Sequence, residues 1–297
     1  MRVTTKITAD NALHNIQRTR EQLDKLNTKI SSGLNINRPG DDPISTRQLL
    51  DLDAKLKQTA QYRSNIAKAT IWQKMTDTAL GGIASMVKQV RQLSSSIISG
   101  GSDPVIMNSA VAQFTALKKQ IIDLGNTQLG DQYLFGGFET RQPPFTTADN
   151  AYHGTTDGLQ VEINQNSPLQ LNIPGDQLLL GTGSYGSVDI LTELDNLITA
   201  TAANDVAGIQ TAATALDNGA KQINSAIVDV AGKMVRLDSM DKLLNNNKNA
   251  LETIVSGIQN VDYAKAATEL SQQQTALEAA LSATAKVANL SLLDYLK

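Results

Sequence analysis

The chain has 297 residues, with 26 Lys plus Arg against 29 Asp plus Glu, a net charge of −3, no cysteine and only 4% aromatic residues. That length allows two or three domains, the missing cysteine excludes disulfides and thiolate metal sites, and the lack of a basic tract argues against a nucleic-acid partner. Residues 1–15 carry neither the apolar core nor the small-residue cleavage site of a Sec signal peptide, and no apolar run approaches the ~18–20 residues that span a bilayer, so no membrane partner is expected.

The first predicted element is an amphipathic helix over residues 11–36. Ile16, Leu23 and Ile30 recur every seven residues, with Leu26 between them, which is a narrow coiled-coil seam. Asn37-Arg38-Pro39-Gly40 should stop it, because Pro39 disfavours helical geometry at Arg38. Asp42 then suits an N-cap and Pro43 a first helical position. A long second helix should run to about Ile98, with Leu49, Leu52 and Leu56 opening its apolar face and Met86, Val90, Leu93 and Ile97 closing it. Gly81-Gly82 should loosen it midway.

Asp103-Pro104 repeats the start signal, and a third helix is predicted to about Leu129, with Phe114, Leu117, Ile121 and Leu124 as its stripe. Composition changes next. Residues 133–185 hold six of the eleven aromatics and four of the seven prolines. Leu159, Val161 and Ile163 alternate with polar residues, as do Leu169, Leu171 and Ile173, which predicts two half-buried strands joined by a hairpin. We expect a small β-rich insertion at 141–186.

Helix returns with Leu191, Leu194, Leu197 and Ile198. Ile223, Ile227, Val230, Met234 and Leu237 then step by four and three, and Leu244, Leu251 and Ile258 continue at seven. A seam sustained over about five heptads predicts coiled-coil-like packing. Residues 257–261 should break it, and Asp262 should cap a last helix reaching 296, striped by Leu270, Leu277, Leu281, Ala288 and Leu292. The predicted fold is mainly α: a long antiparallel helical hairpin or coiled-coil rod, both termini at one end, with the β insertion at its turn. The two terminal stripes read either as ordinary surface helices of a globular domain or as surfaces buried against each other and against further copies. Their placement at both extreme ends favours the second reading, since termini fray unless held.

No catalytic constellation emerges. His14 and His153 have no metal-ligand partner at suitable spacing. Asp41-Asp42 before Pro43 reads as cap and turn. The glycine-rich run 181–186 lacks the Lys-Ser/Thr of a phosphate loop. The chain is therefore expected to be neither an enzyme nor a holder of a cofactor or metal.

Residues Ile30-Ser31-Ser32-Gly33-Leu34-Asn35-Ile36-Asn37-Arg38-Pro39-Gly40-Asp41-Asp42-Pro43 closely resemble the signature of the bacterial flagellin superfamily. Asp262-Tyr263-Ala264 through Ala280, and Leu290 through Leu296, are similar to its C-terminal helix. The segment 88–100 is similar to one that touches neighbouring subunits. Tyr133-Leu134-Phe135-Gly136-Gly137 followed by Pro144-Phe145, Tyr152-His153-Gly154 with Asp157-Gly158, and the ending Ser291–Leu296 resemble the branch that joins hook to filament more than filament flagellin. Thr155-Thr156, between Gly154 and Asp157, departs from that branch's pattern.

The resemblance implies an inner assembly domain of 1–43 plus 257–297, a helical rod domain of 44–140 plus 187–256, and the insertion at 141–186. It implies residence in the extracellular flagellum, reached by type III export without cleavage. The implied partners are further copies in a ring of about a dozen subunits, the hook-side junction protein, flagellin, and an export chaperone on the C-terminal region. The implied assembly residues are Leu13, Ile16, Leu23, Leu26, Ile30, Leu270, Leu277, Leu281 and Leu292. The signature turn is Asn37, Arg38, Pro39, Asp41, Asp42 and Pro43.

Overall fold

The computed structural model describes residues 2–100, 103–146 and 150–295. In chain order the elements are α1 (Arg2–Ser32), α2 (Pro43–Gly100), α3 (Pro104–Gly125), β1 (Gln128–Leu129), β2 (Gln132–Tyr133), β3 (Gln160–Asn164) and β4 (Ser167–Gln170). A π-helical turn (Asp176–Leu180), α4 (Ile190–Ala202), α5 (Val206–Gln259) and α6 (Tyr263–Tyr295) follow. The fold is thus mainly α, with long helices and a small β region. It divides into two compact units, one of residues 59–246 and one of residues 1–58 plus 247–297.

The larger unit holds the main core. Leu80, Ile83, Val87 and Val90 of α2, Phe114 and Ile121 of α3, Leu194 and Leu197 of α4, and Leu216, Ile223 and Val230 of α5 are all fully buried in one cluster. Met86, Leu93, Leu117, Leu124, Ile227 and Met234, the remaining seam positions here, pack against it half-buried. α2 and α5 run antiparallel. Ion pairs join Arg63 to Asp241, at 2.9 Å, and Arg91 to Asp217. Each side chain is more than a third exposed or close to it, so the pairs fix register more than they stabilise.

α3 starts as its sequence dictates. The Asp103 carboxylate accepts the Val105 N–H at 2.9 Å, and Pro104 occupies the first helical position. It ends at Gly125, not Leu129. Asn126 is diverted from the helix: its amide donates to the Phe145 carbonyl at 2.9 Å and accepts the Phe145 N–H at 3.0 Å. Residues 128–133 then form a small hairpin, β1 with β2, ahead of the expected insertion.

Glycines in and just before the insertion answer to close packing. The Phe145 ring lies between Gly125 and Gly175, where an added Cβ would come within 2.9 and 2.7 Å of it. Gly137 has φ +67°, and a Cβ there would meet the Thr155 carbonyl oxygen at 2.0 Å. The Tyr152 hydroxyl donates toward the Phe135 and Thr155 carbonyls, each 2.9 Å away. Burial pushes its pKa up. β3 and β4 pair antiparallel, Val161 opposite Leu169. Their buried residues, Ile163 and Leu169, join Ile66 and Ala69 of α2 and Leu237 and Leu244 of α5 in a second cluster.

α2 runs through Gly81-Gly82 as one continuous helix. Gly82 is there for space, since a Cβ would lie 3.0 Å from a Leu124 methyl. α5 also continues through Gly257 to Gln259, so the break expected at 257–261 narrows to residues 260–262.

Candidate assembly surface

The smaller unit contains every residue of the implied assembly set and signature turn. α1 stops where Gly33 turns left-handed, φ +73°, with its N–H on the Lys29 carbonyl at 2.9 Å, a helix end that glycine permits at little steric cost. The next residues cross to the chain between α5 and α6. Leu34 and Asn260 form an antiparallel bridge, in which Asn35 donates to the Gln259 carbonyl at 2.7 Å and Val261 donates to the Gly33 carbonyl at 3.0 Å. Asp262 caps α6 by accepting the Lys265 N–H at 3.1 Å. α1 and α6 therefore leave one point in opposite chain directions and pack along each other.

Within that helix pair Leu23 is buried at 8% exposure and Ala266 at 4%. Ile16, Leu26, Ile30, Leu270 and Leu277 are half-buried. Leu26 shares a groove with Gln22, Lys25 and Lys29 of α1 and Glu269, Gln272 and Gln273 of α6. Leu13 and Leu281 remain 55% and 50% exposed. Leu292 lies outside the residues whose side chains are described, as does Ala288.

The signature turn is built on two carboxylates. Asp41 accepts the N–H groups of Arg38, at 2.9 Å, and Asn37, at 3.2 Å, while its own N–H donates back to the Arg38 carbonyl. The Arg38 backbone N–H, then that of Asn37 and the charges of Lys25 and Arg38, hold its carboxyl below the usual carboxylate range. Asp42 accepts the Ser45 hydroxyl at 2.6 Å and the N–H groups of Ser45 and Ile44 at 3.0 and 3.1 Å. The Ser45 hydroxyl is the main cause of its lowered pKa. Asp42 is thus the N-cap of α2, with Pro43 first in the helix. Asn37 donates to the Leu34 carbonyl at 3.1 Å, and Lys29 donates to the Asn35 side chain at 2.9 Å. The turn is locked locally, leaving Pro39 and Gly40 exposed.

The set read from the stripes omits the bridge itself. Gly33, Asn35, Gln259 and Val261 carry no periodic apolar signal. Gly33 alone had a legible cue, a glycine closing a helical pattern. Among the described residues no cluster of three or more His, Asp or Glu could hold a metal, and no helix is long and apolar enough to cross a membrane.

The chain aligns end to end with flagellar hook-associated protein 3 of Escherichia coli, 22% identical over 317 residues and covering all of both chains. It is 25% identical over 272 residues to a flagellin of Halalkalibacterium halodurans, covering 89% of this chain and 88% of that one. Crystal coordinates of Bacillus cereus FlgL superpose with a TM-score of 0.58 at 18% identity, covering 71% of this chain and all of that one, a likeness of fold. Residues 3–140 match the bacterial flagellin N-terminal helical region, and residues 213–296 match the bacterial flagellin C-terminal helical region. With both ends matched in order around an unmatched middle, the chain belongs to the bacterial flagellin family.

Proposed function

We propose that this chain joins the flagellar hook to the filament, as a ring of about a dozen subunits on which flagellin polymerises. The observation that carries the reading is the end-to-end similarity to a hook-associated protein. Its branch-specific motifs also have structural work here: Gly136 and Gly137 sit where no side chain fits, and Phe145 fills the space between two further glycines.

The mechanism is geometric. Leu13, Ile16, Leu23, Leu26, Ile30, Leu270, Leu277, Leu281 and Leu292 form the assembly stripes of the terminal segments. The pair α1–α6 covers part of each stripe, and neighbouring copies cover the rest through head-to-tail contacts. The hook-side junction protein meets one end of the ring and flagellin the other. Before assembly the chain passes the type III export channel uncleaved, with a chaperone on its C-terminal region. Ordering the terminal segments costs about 1–2 kcal/mol per residue in backbone entropy, so that order is completed by assembly. The signature turn fixes how α1 feeds into α2, and the chain carries no catalytic role.

The second reading is a filament subunit, favoured by the 25% identity to a flagellin. A deletion strain separates them. Intact hooks without filaments, with a separate flagellin lost to the medium, support the junction. Loss of the filament protein itself identifies the chain as flagellin, and normal filaments overturn both.

A further inference from the structure

We propose that the glycine-rich run 181–186 is a strap, fastened to α5 by Gln222 and Asp229, that holds the insertion against α2 and α5 as one rigid body. The proposal concerns residues 59–246 of the single chain and stands whichever flagellar position the protein occupies. Three observations carry it.

The first is the buckle. Gln222 is 1% exposed, and its amide is engaged on both sides. Its Nε2 donates to the Leu178 carbonyl at 2.8 Å and to the Val188 carbonyl at 3.1 Å, while its Oε1 accepts the Val188 N–H at 3.1 Å. Those partners bracket the run, Leu178 before it and Val188 after it. Lifting the strap would strand a buried amide and the main-chain groups it satisfies, which is costly. A Cβ at Gly186 would collide with the Gln222 side-chain oxygen, so a larger residue there would push the strap off the helix.

The second is a separate fastening two turns along α5. The Tyr185 hydroxyl donates to the Asp229 carboxylate at 2.7 Å, and Lys233 pairs with the same carboxylate at 2.9 Å. Burial, and then the Asp229 carboxylate, push the Tyr185 pKa up, which keeps the hydroxyl a donor. At the near end the Thr182 hydroxyl donates to the Asp176 carboxylate at 2.7 Å. A glycine-rich segment without such partners behaves as a flexible linker, whereas this one is tied along its length.

The third is that the β3–β4 hairpin is tied down in the same manner, by helix side chains reaching its backbone. Asn65 and Gln73 of α2 donate to the Glu162 and Leu171 carbonyls at 2.9 and 2.6 Å. Arg236 of α5 donates to the Ser167 hydroxyl at 2.9 Å and the Pro168 carbonyl at 3.5 Å. Ile163 and Leu169 are buried against both helices. A sideways load on the hairpin is thereby passed to α2 and α5.

The test uses the full-length chain, which has no cysteine, so introduced cysteine pairs carry spin labels only where wanted. Thr78 of α2, Gln165 at the hairpin tip and Ser184 of the strap are exposed. Thr78→Cys with Gln165→Cys, and Thr78→Cys with Ser184→Cys, should each give one narrow distance distribution in pulsed electron paramagnetic resonance. Gln222→Met keeps the side chain's length and removes its hydrogen bonds. It should broaden the 78–184 distribution and speed exchange of the Val188 amide by about tenfold, with the central turns of α2 and α5 exchanging as before. Tyr185→Phe removes only the second fastening. It should broaden the 78–184 distribution less and leave the Val188 amide unchanged. Broad or two-peaked wild-type distances would overturn the rigid body. A Val188 amide or a 78–184 distance unmoved by Gln222→Met would overturn the buckle. Faster exchange throughout α2 and α5 would mark a Gln222→Met chain that no longer packs, and the wild-type distances with Tyr185→Phe then decide.

Discussion

Substituting Leu277 by Asp separates folding from assembly. Leu277 is half-buried in α6, so removing its apolar surface gives up about half of the 1.5–3 kcal/mol that full burial supplies, roughly 1 kcal/mol. A carboxylate on the same seam adds a desolvation cost of about 1–3 kcal/mol. The expected loss, about 2–4 kcal/mol, falls on the helix pair and, in the proposed ring, on each subunit contact made through this face. The core of residues 59–246 contains none of these atoms, and it holds Trp72, the chain's single tryptophan, at 4% exposure. Urea unfolding followed by tryptophan fluorescence should therefore keep the wild-type midpoint. In cells the variant should be made and remain soluble, yet leave hooks bare and swimming abolished. Leu277→Ala, which removes surface without adding charge, should be intermediate. Normal swimming by the Asp variant would refute the assignment of this stripe to assembly. A lowered fluorescence midpoint would refute the independence of the larger core.

Three other outcomes are expected. Phe145→Ala empties the space between Gly125 and Gly175 and should cost the larger unit about 3–5 kcal/mol in urea titrations, where a loss below 1 kcal/mol would contradict the packing. Gly137→Ala should destabilise the same unit by at least the ~1–2 kcal/mol of a left-handed non-glycine residue, because the Thr155 carbonyl blocks its Cβ. Asp41 and Asp42 both have lowered pKa values relative to 3.8. The stability they lend the signature turn is present above about pH 4 and is lost as pH falls through their lowered values. The Arg38 and Ser45 amide resonances should report that titration in NMR spectra, and Asp42→Asn should abolish it at Ser45 alone.

Local chemistry was the most legible part of the sequence. Asp42-Pro43, Asp103-Pro104 and Asp262 each announce a helix start because the cap needs one side chain and its nearest N–H groups. The α5 seam was readable because its period is carried by large apolar residues over many turns. What escaped depends on distant partners. Asn126 ends α3 because Phe145, nineteen positions later, claims its amide. The π-helical turn at Asp176–Leu180 has no cue of its own. It closes on Gly181, which is left-handed and crowded by Val188. Along the α1–α6 pair, periodicity picked out Leu23, which is buried, and Ile16, Leu26, Ile30, Leu270 and Leu277, which are half-buried, together with Leu13 and Leu281, which are exposed. It did not find Gly33, Asn35, Gln259 and Val261, because backbone hydrogen bonds leave no pattern in side-chain type.

The turn between β3 and β4 has a practical use. Gln165 and Asn166 are exposed, and Asn166 is left-handed, φ +54°. Ile163 and Leu169 anchor the strands on either side. Foreign sequence spliced at this tip would lengthen a loop whose two ends are already fixed, a change the chain tolerates at small entropic cost. An epitope or fluorophore carried there would report the protein's position in a living cell while leaving the terminal helices untouched.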